Sequence, residues 1–327
     1  MSVFLVTGAA GFIGSALVHE LIRRGEHVRA LDNLDTGKLQ NIADVLDRLE
    51  FLKTDIMDSA CLATACRGVD YILHEAALPS VSFSVEDPLT AHHVNLTGTL
   101  NVLQAARNAG VKRVIYAASS AAYGENELQP KLESMTSDPV SPYAVQKLAG
   151  EYYMRSFTRL YGLETVCLRY FNIFGPRQSA SSAYSGVIAR FITQMLEGET
   201  PTVFGDGEGS RDFTYVEDVV RANLLALAAP SEPVAGRCFN IGTGRPHSIN
   251  SMISILKNLL AYKGEILHLP PRAGDIKHSC ADISKARRYL NYEPQVTFEA
   301  GLKNTVEWYK SQTGLPLSRL AKSADHK

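Results

Sequence analysis

Val3-Phe4-Leu5-Val6-Thr7-Gly8-Ala9-Ala10-Gly11-Phe12-Ile13-Gly14 is the stretch that decides the fold. Val3 to Thr7 is a short apolar run rich in β-branched residues, the pattern of a strand buried on both faces. Ala16, Leu17, Leu21 and Ile22 then recur at helical spacing, so the segment reads as strand, glycine turn, helix. Glycine permits a tight turn and close backbone approach, and the free N–H groups at the helix start, around Phe12 and Ile13, suit a dinucleotide pyrophosphate. Gly8, Gly11 and Gly14 are spaced three and three, which departs from the two and three of the commonest fingerprint.

Downstream, His27 to Leu31 forms a second buried-type strand that ends at Asp32. A carboxylate at this offset suits the adenosine ribose hydroxyls and repels a 2′-phosphate, so NAD is favoured over NADP. The bland alternative is a loop cap made with Asn33 and Asp35. Phe51 to Lys53, Tyr71 to His74, Val114 to Ala117 and Val166 to Arg169 continue the alternation of strand and helix. This pattern predicts an α/β fold of the Rossmann type, a doubly wound parallel sheet with helices on both faces. Asp55-Ile56 and Ala76-Ala77 follow strands, where ligands collect in such sheets. The small pair Ala76-Ala77 admits a cofactor ring, or else serves helix packing. One long helix is expected from Glu86 to Ala109, with Leu89, His93, Leu96, Leu100 and Leu103 along one side. Asn95 interrupts that stripe; as a buried amide it either ties two helices together or orients a catalytic lysine.

Composition narrows the function classes. Lys plus Arg (33) nearly balances Asp plus Glu (34) across 327 residues, so no global field invites nucleic acid or an anionic membrane. Cys61, Cys66, Cys167, Cys238 and Cys280 show no metal-type spacing and cannot all pair, which predicts reduced thiols and a cytoplasmic location. No metal site is expected. The apolar start lacks a basic lead and is cut short by Gly8, and no other apolar run approaches membrane-spanning length.

The chemistry is expected at Ser141-Pro142-Tyr143, with Lys147 four residues on. Tyr143 and Lys147 share one helix face, where an ammonium favours the phenolate and makes a base of a tyrosine. The fifth strand runs into Ser119-Ser120-Ala121-Ala122-Tyr123-Gly124, which puts hydroxyls at the sheet's carboxyl edge. A serine there can bond a substrate hydroxyl and relay its proton to Tyr143.

In this order and spacing the residues resemble the extended short-chain dehydrogenase/reductase superfamily, in its nucleotide-sugar epimerase and dehydratase branch. The match takes in the three glycines, Asp32, Asp55-Ile56, Ser119, Tyr143 with Lys147, and Arg169-Tyr170-Phe171-Asn172. It continues through Gly205-Asp206-Gly207, Arg211-Asp212-Phe213 and Arg272 with Gly274-Asp275. The resemblance implies a resident NAD held by Gly8, Gly11, Phe12, Ile13, Gly14, Asp32 and Asn33. Asp55, Ile56, Ala76, Ala77, Asn95, Tyr143, Lys147, Tyr170 and Phe171 complete the implied set. It implies that Tyr143, Lys147 and Ser119 pass the sugar through a 4-keto stage. It also implies a homodimer built as a four-helix bundle from the helix bearing Tyr143 and the helix ending near Ala109.

Relatives that eliminate water or carbon dioxide carry an acid just after the catalytic Ser or Thr. This chain has Ser120, Ala121 and Ala122, and alanine transfers no protons, so a 4-epimerase is favoured. Glucuronate epimerases typically show a Gly-Pro-Trp-type segment where Gly175-Pro176-Arg177-Gln178 stands. The implied substrate set is Asn172, Arg211 and Arg272 on the diphosphate and Asp275 on the ribose. The Pro201 to Phe204 segment with Thr202 would take the uracil. Val187, Ser80, Ser119, Ser120, Tyr143 and Ser279 are also assigned to substrate by the resemblance. Ser279 replaces the bulky tyrosine of glucose/galactose-restricted relatives and leaves room for a 2-acetamido group, which Ser80 can bond. The expectation is interconversion of UDP-N-acetylglucosamine and UDP-N-acetylgalactosamine, with UDP-glucose/galactose as a second pair. A UDP-uronate epimerase, a net oxidoreductase and a silent NAD-binding scaffold are the alternatives. The expected division is a NAD-binding domain at 1–172, to which 213–241 returns, a cap at 173–212 and 242–320, and a flexible tail at 321–327. Helices at Tyr184 to Leu196, Val216 to Ala228 and Ile249 to Ala261 are expected, with strands at Cys238 to Ile241 and Glu265 to His268.

Overall fold

The computed structural model describes residues 1–179, 186–271 and 277–312. Six parallel strands come first: β1 (Val3–Thr7), β2 (His27–Asp32), β3 (Glu50–Lys53), β4 (Tyr71–His74), β5 (Arg113–Ser119) and β6 (Glu164–Tyr170). Short strands β7 (Ile173–Phe174), β8 (Thr202–Phe204), β9 (Ser210–Arg211) and β10 (Thr214–Tyr215) follow. The chain then returns, and β11 (Arg237–Ile241) pairs with β6 as the seventh strand. The sheet order is β11-β6-β5-β4-β1-β2-β3, so the winding reverses between β1 and β4 and opens a crevice at their carboxyl ends.

The central strands β1, β4 and β5 are largely apolar because both faces are covered. Phe4 and Val6 of β1 pack under α1 (Phe12–Arg23), while Leu5 points into the opposite core with α2 (Ser59–Ala65). The same alternation splits β5, with Ile115 and Ala117 on one side and Val114, Tyr116 and Ala118 on the other.

The expected single helix from Glu86 to Ala109 is broken. It is built as α3 (Val81–Glu86), α4 (Pro88–His92), a π-helical turn (His93–Thr97) and α5 (Gly98–Ala109). Asp87 caps α4 by accepting from Thr90 N at 3.0 Å, and Pro88 occupies its first turn, so the chain restarts there. The buried face is correspondingly different: Ala91, Asn95, Thr99, Val102, Leu103 and Ala106 point inward, whereas Leu89 is 73% exposed. The π-helical insertion rotates the face and carries Asn95 inward.

Next come α6 (Pro142–Tyr161), α7 (Val187–Glu197), α8 (Val216–Ala228), the short α9 (Ser231–Val234), α10 (Ile249–Leu260), α11 (Ser284–Leu290) and α12 (Phe298–Gln312). The expected start of α7 at Tyr184 lies outside the described residues, as do Arg272, Asp275 and the tail at 321–327. Helices α7, α10 and α12 enclose a third core around Phe174, Phe213 and Tyr215. Beside it, β12 (His247–Ser248), β9 and β14 (His278–Ser279) form a small sheet, and β13 (Leu267–Leu269) pairs with β8. Asp212, fully buried after β9, accepts from Thr243 N (2.8 Å), Gly244 N (2.9 Å) and Ala281 N (3.0 Å). One carboxylate therefore joins the segments that follow β9, β11 and β14. Among the described residues no helix is long and apolar enough to cross a membrane.

Helix α6 is tied to the sheet by a buried ion pair. Arg169 of β6 donates from Nε to Glu151 Oε1 at 2.8 Å and from Nη2 to Glu151 Oε2 at 2.7 Å. A two-pronged pair of this kind repays its desolvation only while both members are present. Glu151→Ala should lower the unfolding free energy by about 3–5 kcal/mol in urea titrations, and adding Arg169→Met should recover much of the loss.

Candidate functional site

The turn between β1 and α1 leaves no room for a Cβ at Gly8 or, just inside the helix, at Gly14. A Cβ on Gly14 would lie 2.0 Å from the Gly8 carbonyl oxygen, and one on Gly8, whose φ is +69°, would lie 2.7 Å from Ala76 N. Gly11 caps α1 without any side-chain hydrogen bond, so the first-turn N–H groups of Phe12 and Ile13 face the crevice mouth uncapped. Asp32 at the end of β2 is buried and accepts from Ala10 N (2.9 Å) and Leu34 N (2.8 Å). Burial raises its pKa, and these two N–H groups pull it back. Asn33 donates to Asp55 Oδ2 at 2.8 Å, which brings two of the expected nucleotide contacts together across β2 and β3. A bare helix start, backbone pressed against backbone, and a carboxylate on the next strand fit an NAD dinucleotide.

Helix α6 is begun by Ser141, whose hydroxyl accepts from Ala144 N at 3.2 Å, with Pro142 in its first turn. Tyr143 N donates to Ser84 Oγ at 3.0 Å and locks this start against α3. Tyr143 and Lys147 both lie on the buried side, and Lys147 Nζ donates to the Ala117 carbonyl of β5 at 2.8 Å. The ammonium is 4.9 Å from the Tyr116 ring centroid and 6.0 Å from that of Tyr143. Burial lowers the Lys147 pKa to about 8 against the pull of the Glu75 and Glu151 charges.

The lowering expected of the Tyr143 phenol calls on Lys147 together with an oxidised nicotinamide, and the protein's own groups by themselves do not supply it. Burial raises the phenol above its ordinary value, the Ser119 hydroxyl bond lowers it, and the Glu75 charge raises it further. Desolvation, which disfavours the phenolate, is the largest of these influences. Ser119, at the end of β5, also accepts from Ala121 N at 3.2 Å, and Ser120 begins the following 3₁₀ turn.

Asn95 resolves toward tying elements together. It donates to Leu78 O (3.1 Å) and Gln146 Oε1 (2.9 Å) and accepts from Leu78 N (2.7 Å), so it joins the loop after β4 to α6 without touching Lys147. Phe171 has a fully buried ring, and Ile56 is nearly so, which makes both side chains core groups. Ala76 and Ala77 flank the crevice, with Ala76 N bonded to Thr7 Oγ1 at 3.3 Å.

Glu75 went unrecognised in the sequence. It accepts from the Tyr170 hydroxyl at 2.9 Å, and Tyr170 in turn accepts from Asn223 Nδ2 at 2.8 Å. Burial pushes its carboxyl up to about 7, against the Tyr170 bond and the Lys147 charge. The available signal was an acid directly after a buried strand, on the edge where ligands collect.

On the cap side Asn172 is exposed with a φ of 40°, and Arg211 donates from Nη1 to Ser210 O (2.9 Å) and Lys277 O (3.1 Å). Ser279 is partly buried and sits directly opposite Arg211 in the β9–β14 pair. Ser80 caps α3 by accepting from Phe83 N at 2.9 Å, which leaves its hydroxyl proton for a ligand. Val187 begins α7 and Thr202 begins β8, both partly buried. Arg177 has a φ of 68° and its guanidinium lies 3.4 Å from His19 Nε2 on α1.

A model of the NAD dependent epimerase/dehydratase family matches residues 4–242. A putative UDP-glucose 4-epimerase of Methanocaldococcus jannaschii is 39% identical over 309 residues, covering 94% of this chain and 98% of that protein. A UDP-glucuronate 4-epimerase of Thermodesulfobacterium geofontis is 35% identical over 326 residues, covering 96% and 98%. Among solved structures, the UDP-N-acetylglucosamine 4-epimerase of Methanobrevibacter ruminantium, in complex with UDP-N-acetylmuramic acid, superposes with a TM-score of 0.91. It shares 41% identity and covers 95% of this chain and 99% of that one.

The Lys147 shift has a testable consequence for stability. Its folded-state pKa is about 8 against an ordinary 10.5, so between these values the unfolded chain binds more protons and stability rises with pH. Lys147→Met removes this effect. In denaturation experiments wild type should therefore gain on the variant by up to about 1.4 kcal/mol per pH unit through that window.

Proposed function

We propose that this chain, which belongs to the NAD-dependent epimerase/dehydratase family, inverts C4 of a UDP-hexose through a 4-keto sugar and prefers the N-acetylated pair. UDP-N-acetylglucosamine and UDP-N-acetylgalactosamine are the primary substrates on this reading, with UDP-glucose and UDP-galactose second. Tyr143 beside Ser119 at the carboxyl edge of β5, followed by a turn without an acid, carries the reading.

Bound NAD supplies an acceptor and later a donor for the C4 hydride. The protein's part is to place and charge that reaction. Tyr143 takes the proton of the 4-hydroxyl, and Ser119 beside it holds the same hydroxyl in line. Lys147, anchored on Ala117, supplies fixed positive charge that opposes the desolvation of the phenolate. Ala121 and Ala122 offer no proton to a leaving group, which favours epimerisation over elimination.

Residues 173–212 and 242–320 form the substrate-binding part, with Arg211 and Asn172 on the diphosphate. Arg272 and Asp275 are assigned to the diphosphate and the ribose by resemblance. Ser279, one strand over from Arg211, lines the hexose pocket and leaves space at C2. Arg177 points toward His19, which gives no specific support to a uronate substrate.

A homodimer through α5 and α6 accounts for the exposed apolar side chains of α6. Leu160 is 73%, Tyr152 52% and Val145 50% exposed on this one helix. The free cysteines agree with a reducing, cytoplasmic setting.

A panel of UDP-sugars should show higher kcat/KM for the N-acetylated pair than for hexoses or uronates, and Tyr143→Phe should lower kcat by about 10²–10⁴. Ser279→Tyr should lose the N-acetylated pair while keeping UDP-glucose; retained preference would sink the pocket assignment. Sedimentation should find a dimer, and Leu160→Arg with Tyr152→Arg should shift it to monomer.

A further inference from the structure

Glu75 is a carboxylate at the reaction edge that proton transfer does not use. It is the first residue after β4, partly exposed beside the crevice, and its N–H donates to Thr7 O of β1 at 3.2 Å. Its side chain turns toward β6, where the Tyr170 hydroxyl donates to it at 2.9 Å. Asn223, fully buried on α8, fixes that hydroxyl at 2.8 Å. Two further residues thus aim this carboxyl group instead of leaving it to swing.

The titratable groups facing Glu75 are Lys147 and Tyr143 of α6 and Tyr170 of β6. His74, next to it in the chain, points into the sheet between Thr7 and Thr99 and is neutral, because burial drives its pKa down to about 3. Toward Tyr143 the Glu75 charge is counterproductive, since it opposes ionisation of the phenol. A carboxylate that hinders the base serves some other charge. An NAD seated with its pyrophosphate on the glycine turn and its adenosine ribose at Asp32 would extend its other half toward the carboxyl ends of β4 and β5, where Glu75 stands. Its nicotinamide would be positively charged when oxidised and neutral when reduced.

We propose that Glu75 tunes the bound nicotinamide: held by Tyr170 and Asn223, its carboxylate favours the cationic, oxidised ring and keeps the resting enzyme ready to accept hydride. This rests on NAD as the cofactor and not on the identity of the sugar, so a wrong sugar assignment leaves it standing.

Dye-mediated anaerobic redox titration of the holoenzyme with NAD bound, well above neutral pH, tests it directly. Glu75→Gln keeps an acceptor for Tyr170 and removes the charge. The ratio of reduced to oxidised bound cofactor at fixed potential should rise about tenfold, which is about 30 mV for a two-electron couple. Glu75→Asp, which retains the charge, should stay closer to wild type than to Glu75→Gln. In acid, below the carboxyl's ionisation near about 7, wild type and Glu75→Gln should converge. A Glu75→Gln ratio unchanged or shifted toward oxidised cofactor overturns the proposal. So does a difference that persists unchanged in acid, or loss of the cofactor in both redox states from this variant.

Discussion

The bond from Lys147 Nζ to the Ala117 carbonyl, 2.8 Å long, fixes the distance between the catalytic helix and the sheet. An ammonium taken out of water needs partners, and here a strand end supplies one. The helix can come this close because Gly150, one turn further along α6, presents no side chain to Tyr116. A Cβ there would stand 2.3 Å from the tyrosine oxygen. The bidentate bridge from Glu151 to Arg169 then fastens the next face of the same turn to β6. Three positions within about one turn of the helix, Lys147, Gly150 and Glu151, therefore index it on two adjacent strands, and Tyr143 inherits its place from that registration.

The charge balance around Tyr143 follows from the same geometry. Burial favours the neutral phenol, and the Ser119 hydroxyl beside it does not reverse that preference. If Tyr143 is the base, as proposed above, proton abstraction at moderate pH calls for further positive charge close to its oxygen, which an oxidised nicotinamide would carry. On that proposal the cofactor would complete the base and couple its proton uptake to the redox state of the ring.

Much of this was legible in the residues. The glycine turn announced itself because its constraint is local: only a missing Cβ allows Gly8 to touch Ala76 and Gly14 to touch Gly8. The alternation of Phe4, Leu5 and Val6 between two cores likewise follows from apolarity on both faces. The helix break at Asp87-Pro88 was written in a capping acid followed by proline, but the leucine stripe concealed it. Glu75 and Asp212 were opaque for a different reason. Each is defined by partners far away in the chain, Tyr170 and Asn223 for one, Thr243, Gly244 and Ala281 for the other. Local pattern carries no trace of such long-range agreements.

Asp212 also bears on how such a protein can be remodelled. Because its carboxylate gathers backbone N–H groups from after β11 and after β14, the small β9 sheet is not a detachable module. A chimaera that imports the segments around β9, β12 and β14 from another protein would sever these bonds and leave a buried carboxyl without its partners. Single replacements on the paired edges of β9 and β14 leave this junction intact, whereas recombining halves does not.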